Sequence, residues 1–260
     1  MDIEGKVAVV TGSGSDAGIG RSAVLALARA GAAGVVVNCS RETSLPKAHA
    51  VAELAEAAGC RALVVQADVS KDDQCRSMMD RAHEELGRLD IVVNNAAATV
   101  RVRFEDLEGL TEEVWDLNIG VNLKGPFYCV RAAAPYLREH GDGAVVNVSS
   151  IAGIRAVGSS SLAYGAAKAG VINMTMFLAR ALAPEIRVNC VTAGFVRGQW
   201  MEQSLGEERY TKALERTSER IPRGRVADPE DVAQAIMSLV ESDFVTGHNL
   251  ICDGGFLIRD

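Results

Sequence analysis

"KVAVVTGSGSDAGIGRSAVLALARAG", Lys6–Gly31, is the stretch whose reading decides the fold. It opens on a short apolar, β-branched run that suits a buried strand, and it closes on apolar residues at helical spacing. Between the two lies "TGSGSDAGIG", with four glycines in ten residues. Glycine at a strand-to-helix junction removes Cβ atoms and lets backbone approach a ligand closely. The stretch therefore predicts a first βα unit with a ligand at the N-terminus of its helix.

Working outward, the same unit recurs. "GVVVNC", "RALVVQAD", "LDIVVNN", "AVVNVSS", "IRVNCV" and "NLICDGG" alternate with segments of helical period. Few of these runs alternate polar with apolar residues, as expected when helices cover both faces of a parallel sheet. The pattern predicts an α/β chain: a Rossmann-like doubly wound parallel sheet of about seven strands, helices on both faces, one domain over residues 1–260. No repeat or linker marks a second domain. Residues 195–226, "FVRGQWMEQSLGEERYTKALERTSERIPRGRV", break the rhythm with many charges around Trp200, Met201 and Leu205. This segment is predicted to be a substrate lid, with a solvated surface helix as the alternative.

Composition removes several function classes. With 27 Lys and Arg against 34 Asp and Glu, the formal charge of −7 disfavours a nucleic-acid partner. No apolar run in the sequence approaches the roughly 18 residues of a membrane span. The six cysteines, Cys39, Cys60, Cys75, Cys129, Cys190 and Cys252, form no CxxC pair and predict reduced thiols in a cytoplasmic protein. None of the four histidines has the spacing of a metal site, so no metal is expected.

Catalytic candidates appear in the second half. "YGAAK" places Tyr164 and Lys168 four residues apart, on one helix face. Ser150 in "NVSSIAG" precedes Tyr164 by fourteen residues at a predicted strand end, and Asn122 lies in "VNLKG". These residue types suit proton transfer at a carbonyl: a reaction that puts a proton on a carbonyl oxygen needs a neutral hydroxyl acid beside it. Tyr164 supplies that type of group. A nearby ammonium, Lys168, is expected to stabilise its phenolate and bring its titration toward working pH. Ser150 can hold the carbonyl oxygen and the charge developing on it. The neighbouring Ser149 is the competing choice.

These residues resemble the Asn-Ser-Tyr-Lys tetrad of the short-chain dehydrogenase/reductase family, and the resemblance runs along essentially the whole chain. It implies that Lys168 also binds nicotinamide ribose hydroxyls and that Asn122 holds a water relaying protons from Lys168. The glycine loop is similar to the family's TGxxxGxG fingerprint, in which a pyrophosphate meets the free N–H groups of the helix. Gly12, Ser13, Gly18, Ile19 and Gly20 are its matching cofactor-binding candidates. Five residues, Ser13 to Ala17, stand where the family has three, and they include the carboxylate of Asp16.

At the end of the second strand Cys39 stands where NAD-preferring relatives place Asp, followed by Ser40 and Arg41. An Arg there accommodates a 2′-phosphate, so the expected cofactor is NADP (NADPH). NAD is the alternative, with Glu42 and Asp16 opposing the phosphate. Asp68 and Val69 match the family's adenine contact, and Asn94, Asn95 and Ala96 its "NNAG" motif, with Ala97 for the glycine. After the sixth strand, Ala193 replaces a proline and Gly198 a threonine, leaving the backbone near Val196 to meet the carboxamide.

"GVNLKG", "SSIAG" and "DGG" are similar to the 3-oxoacyl reductase-like branch, although Glu185 stands where a carrier-protein reductase would offer a base. The resemblance implies an oxidoreductase moving hydride between NADP(H) and a small-molecule carbonyl or secondary alcohol. It also implies a homotetramer, with residues 111–140 and 161–183 on one dimer face and the C-terminal "FLIRD" on another. The alternatives are an NAD-dependent alcohol dehydrogenase and a non-catalytic cofactor-sensing regulator.

Overall fold

Valine-rich runs pair throughout as parallel neighbours, giving one seven-stranded sheet in the order β3-β2-β1-β4-β5-β6-β7. The strands are β1 (Val7–Val10), β2 (Gly34–Cys39), β3 (Arg61–Gln66), β4 (Ile91–Asn94), β5 (Gly143–Ser150), β6 (Ile186–Ala193) and β7 (Asn249–Cys252). The computed structural model describes residues 1–157, 161–198, 202 and 206–259. Every residue of β1, β2 and β4 is buried, which explains why these strands read as continuous apolar runs. The predicted doubly wound sheet is the one found.

Eight helices flank it among the described residues: α1 (Ile19–Arg29), α2 (Leu45–Ala57), α3 (Asp72–Leu86), α4 (Glu112–Ile119), α5 (Gly125–Arg138), α6 (Leu162–Leu182), α7 (Glu207–Ser218) and α8 (Pro229–Glu241). Successive strand residues face opposite sides, so two cores form. Ala8, Val10, Val35 and Val37 pack with Val24, Leu27, Val51 and Ile236 from α1, α2 and α8. Val7, Val9 and Val36 pack with Met78, Met79, Leu137 and Leu182 from α3, α5 and α6. Strand order reverses direction at β1, which pairs with both β2 and β4. A crevice at such a switch point, beyond the carboxyl ends of the strands, is where open α/β sheets bind ligands.

α4 runs directly into α5 through one π turn, Gly120–Lys124, which carries Asn122. α6 is long and apolar enough by length and composition to cross a membrane. However, its inner face buries Tyr164, Lys168 and Thr175 as well as Val171, and β5 supplies hydrogen-bond partners for the three polar residues. Within the predicted lid, Val196 bridges Ala227, and α7 is tied back by Gly198 N–H donating to Tyr210 Oη at 2.9 Å. Trp200, Met201 and Leu205 fall outside the described residues.

Candidate active site

The carboxyl ends of β1, β4, β5 and β6 open onto a cavity of about 430 Å³. One end is formed by the glycine loop and α1. Gly18, the N-cap, sits at φ 137°, where a side chain is disfavoured; no side chain caps the helix, and its first turn holds no acidic residue. Gly18, Ile19 and Gly20 line the cavity, so the uncapped N–H groups and the positive end of the helix dipole meet it. The loop is rigidly seated: Gly12 N–H donates to Asn38 Oδ1 at 3.0 Å, and Asn95 Nδ2 donates to Thr11 O at 2.9 Å. A Cβ on Gly20 would lie 2.6 Å from Asn95 Nδ2. This backbone cradle fits a dinucleotide diphosphate.

β5 and α6 build the other end. Side-chain alternation separates the two serines: Ser149 Oγ is buried and donates to Lys168 O at 2.8 Å, while Ser150 is hydrogen-bonded with Tyr164. α6 begins at the N-cap Ser161, whose Oγ accepts from Tyr164 N–H at 3.3 Å, fixing Tyr164 in the first turn and Lys168 one turn after it. Lys168 Nζ donates to Val148 O at 2.8 Å and lies 5.6 Å from the Tyr164 ring centroid. Ser150, Tyr164 and Lys168 all line the cavity. Behind them, Asn94 Nδ2 donates to Asn147 Oδ1 at 2.9 Å and Asn147 Nδ2 to Thr175 Oγ1 at 3.0 Å, joining β4, β5 and α6.

Burial dominates the electrostatics. It pushes the Tyr164 phenol up to about 12, with the hydrogen bond from Ser150 pulling the other way. It also draws the Lys168 ammonium down to about 8, against the nearby Cys190 thiol. The net shift of Tyr164 is therefore upward rather than the lowering expected from Lys168: both groups lose solvation together, the ammonium donates to the Val148 carbonyl, and the hydrogen bond with Ser150 favours the phenolate.

Asn122 is fully buried. Its Nδ2 donates to Ala98 O at 2.6 Å and Asn118 O at 3.0 Å, and its Oδ1 accepts from Ala98 N–H at 3.3 Å. It braces the chain after β4 and stands outside the cavity wall. π turns frequently mark functional positions, and this one supplies the extra residue that turns Asn122 inward.

Of the cofactor candidates, Gly12, Gly18, Ile19, Gly20, Asn95, Tyr164, Lys168 and Val196 line the cavity. Ser13, Ser40, Arg41, Asp68, Val69 and Ala96 do not. Ser13 is turned inward, its Oγ donating to Val10 O at 2.7 Å, because the hydroxyl satisfies backbone at the end of β1. Ser40 and Arg41 are exposed beyond the wall. In their place the wall takes in Thr43, Ser44 and Lys47, with Arg197 at the β6 end, all missed from the sequence. Pro46, in the first turn of α2, was the available signal that a helix begins here and carries Lys47 in its first turn.

A family model described as enoyl-(acyl carrier protein) reductase matches residues 12–257. The chain is 39% identical over 265 residues to a 3-oxoacyl-[acyl-carrier-protein] reductase of Thermotoga maritima, covering 99% of this chain and 100% of that protein. It is 34% identical to a 2-dehydro-3-deoxy-D-gluconate 5-dehydrogenase of Escherichia coli, covering 100% and 98% respectively. A solved blue fluorescent protein from a metagenomic library, in complex with NADPH, superposes with a TM-score of 0.86 at 30% identity, covering 98% of this chain and 99% of that one. The chain belongs to the short-chain dehydrogenase/reductase family. It is an NAD(P)-dependent oxidoreductase of carbonyl and hydroxyl groups.

Proposed function

We propose that the protein reduces a ketone of the 3-oxoacyl type to its secondary alcohol with NADPH. The observation that carries this reading is the convergence of Ser150, Tyr164 and Lys168 on a cavity whose far end is the uncapped N-terminus of α1. A nicotinamide cofactor, when bound, supplies the hydride. Gly12, Gly18, Ile19 and Gly20 would hold its diphosphate, Asn95 and the backbone at Val196 would line its path, and Lys168 would take the ribose hydroxyls. Ser150 orients the carbonyl oxygen. Tyr164, kept neutral by burial, gives that oxygen its proton. Asn122 fixes the backbone at Ala98 beside the proton path.

The two relatives are named for an acyl-carrier thioester and a sugar acid, so the preference for a 3-oxoacyl group rests on the first of them. The preference for the phosphorylated cofactor is supported by the ammonium of Lys47 on the cavity wall and by the NADPH in the similar solved structure. Residues 195–226 serve as the lid, with Arg197 and Gly198 already on the wall. The assembly is a cytoplasmic homotetramer; exposed Phe127 on α5 and Phe177 on α6 supply one apolar contact face, and Ile251 and Ile258 near the C-terminus another.

The test is steady-state oxidation of NADPH and NADH by the purified protein across 3-oxoacyl thioesters, β-ketoesters, cyclic ketones and keto sugars. Faster turnover with NADPH on a 3-oxoacyl thioester is expected. Turnover confined to NADH would overturn the cofactor assignment, and turnover confined to sugars would overturn the substrate class.

A further inference from the structure

The rim of the cavity carries an ion pair that packing does not demand. Lys47 Nζ, from the first turn of α2, lies 2.6 Å from Asp16 Oδ2 in the lengthened glycine loop, with 46% and 48% of the two side chains exposed. The loop reaches Lys47 because of where its extra residues lie. Ser13 N–H and Gly14 N–H both donate to Asn38 O at 3.0 Å. Gly14 then sits against the end of β2 and the start of α2, where a Cβ would come within 2.8 Å of Ala48 Cβ and 3.0 Å of Cys39 Cβ.

The lengthened loop thus packs on Cys39 at the end of β2 and on Ala48 in α2, and Ser40 and Arg41 lie exposed outside the cavity wall. The Arg41 carbonyl is itself turned to local contacts, accepting from Ser44 N–H at 3.0 Å and from the Cys39 thiol at 3.6 Å. Beyond the loop, the wall resumes with Thr43, Ser44 and Lys47. The other two cations on the wall stand away from this end: Lys168 at the catalytic end, and Arg197 at the β6 end. Lys47 is the cation beside the glycine loop.

We propose that Lys47, flanked by the hydroxyls of Thr43 and Ser44, recognises the 2′-phosphate of NADP(H), and that Asp16 sets the strength of this recognition by competing for the same ammonium. The inference rests on the reductase reading and moves phosphate recognition from Arg41 to α2. A phosphate brings more charge and more acceptor oxygens to one ammonium than a carboxylate does. Asp16, half exposed, has solvent to turn into when displaced. The lengthened loop therefore acts on specificity by placing a competing carboxylate beside Lys47.

The experiment is calorimetric titration of the full chain with NADPH, NADH, adenosine 2′,5′-bisphosphate and 5′-AMP. Lys47→Gln is expected to weaken NADPH and the bisphosphate by roughly 10- to 30-fold, while NADH and 5′-AMP stay within about 2-fold. Arg41→Gln should lose less than about a third of that, and Asp16→Asn should tighten NADPH by roughly 3- to 10-fold. Retained NADH binding in each variant shows that the fold is intact. Equal weakening of phosphorylated and unphosphorylated ligands by Lys47→Gln, or a larger loss in Arg41→Gln, would overturn the assignment of Lys47. Weaker NADPH binding by Asp16→Asn would overturn the competition. Failure of the wild-type chain to bind either cofactor would instead sink the reductase reading.

Discussion

At the catalytic end of the cavity Tyr164 and Lys168 are buried, whereas at the rim Asp16 and Lys47 leave about half of their side chains in water. The buried groups are held by main chain and core: Ser161 and Ser150 fix Tyr164, and Val148 O receives Lys168. Among the described residues, the two rim side chains pair with each other. Desolvation consequently shifts both catalytic pKa values, while the rim pair sits in a screened, high-dielectric setting. The difference teaches that the two ends respond differently to substitution: the buried groups cannot change partners without cost to the fold, whereas the half-exposed rim pair can.

The sharpest way to break the comparison is at Tyr164. Tyr164→Phe should lower kcat by roughly a thousandfold while leaving NADPH affinity nearly unchanged, measured by turnover and by titration. Substantial residual activity would show that the buried end does not supply the proton. Next in size is the network beneath it. Asn147→Ala should cost about 2–4 kcal/mol in urea unfolding, because the Asn94 amide and the Thr175 hydroxyl lose a buried partner. The Asn94 carbonyl oxygen is already buried without one.

Lys168 tests the desolvation argument through pH. Its pKa falls from the ordinary 10.5 to about 8 on folding, so between these values the unfolded chain binds more protons and stability rises with pH. Below about 8 the full cost of the buried charge is present. Lys168→Met should therefore raise unfolding free energy at pH 7 by on the order of 2 kcal/mol, after the lost Val148 hydrogen bond is counted. That gain should vanish above pH 10.5, where the unfolded lysine is neutral too. In the same window, wild-type kcat/KM for reduction should fall as pH rises through about 8, since the ammonium is lost while Tyr164 keeps its proton. A profile that stays flat to pH 10 would contradict the shifted ammonium.

The smallest effect is expected at the rim. Asp16→Ala should change unfolding free energy by less than about 1 kcal/mol, read from urea midpoints, as exposed ion pairs do. A larger loss would mean that the loop depends on this pair for its shape and that the rim is structural.

Much of this was legible because local patterns carry it. Apolar runs buried on both faces announced β1, β2 and β4, and the helical segments expected at 111–140 and 161–183 appear as Glu112–Arg138, with its π turn, and Leu162–Leu182. The i, i+4 spacing put Tyr164 and Lys168 on one helix face. What escaped were contacts between distant segments. Nothing in "NCSRETSLPK" reveals that Gly14 will lie on Cys39 and Ala48, so Arg41 stood out while Lys47 did not. The pKa directions also escaped, since a charge partner can be guessed from spacing but burial cannot.

The sequence by itself determined the parallel doubly wound sheet, and it picked out the glycine loop before α1 and the candidates Ser150, Tyr164 and Lys168 that the fold brings to one cavity, because strand period, helix period and loop glycines act over a few residues. Only the tertiary structure decided that the Ser149 hydroxyl is taken up by the Lys168 carbonyl while the Ser150 hydroxyl meets Tyr164, that Asn122 is turned inward to brace Ala98, and that Lys47 stands on the wall in place of Arg41. Each of those outcomes depends on which atoms exclude water from which others, and that is settled only when segments far apart in the chain pack together.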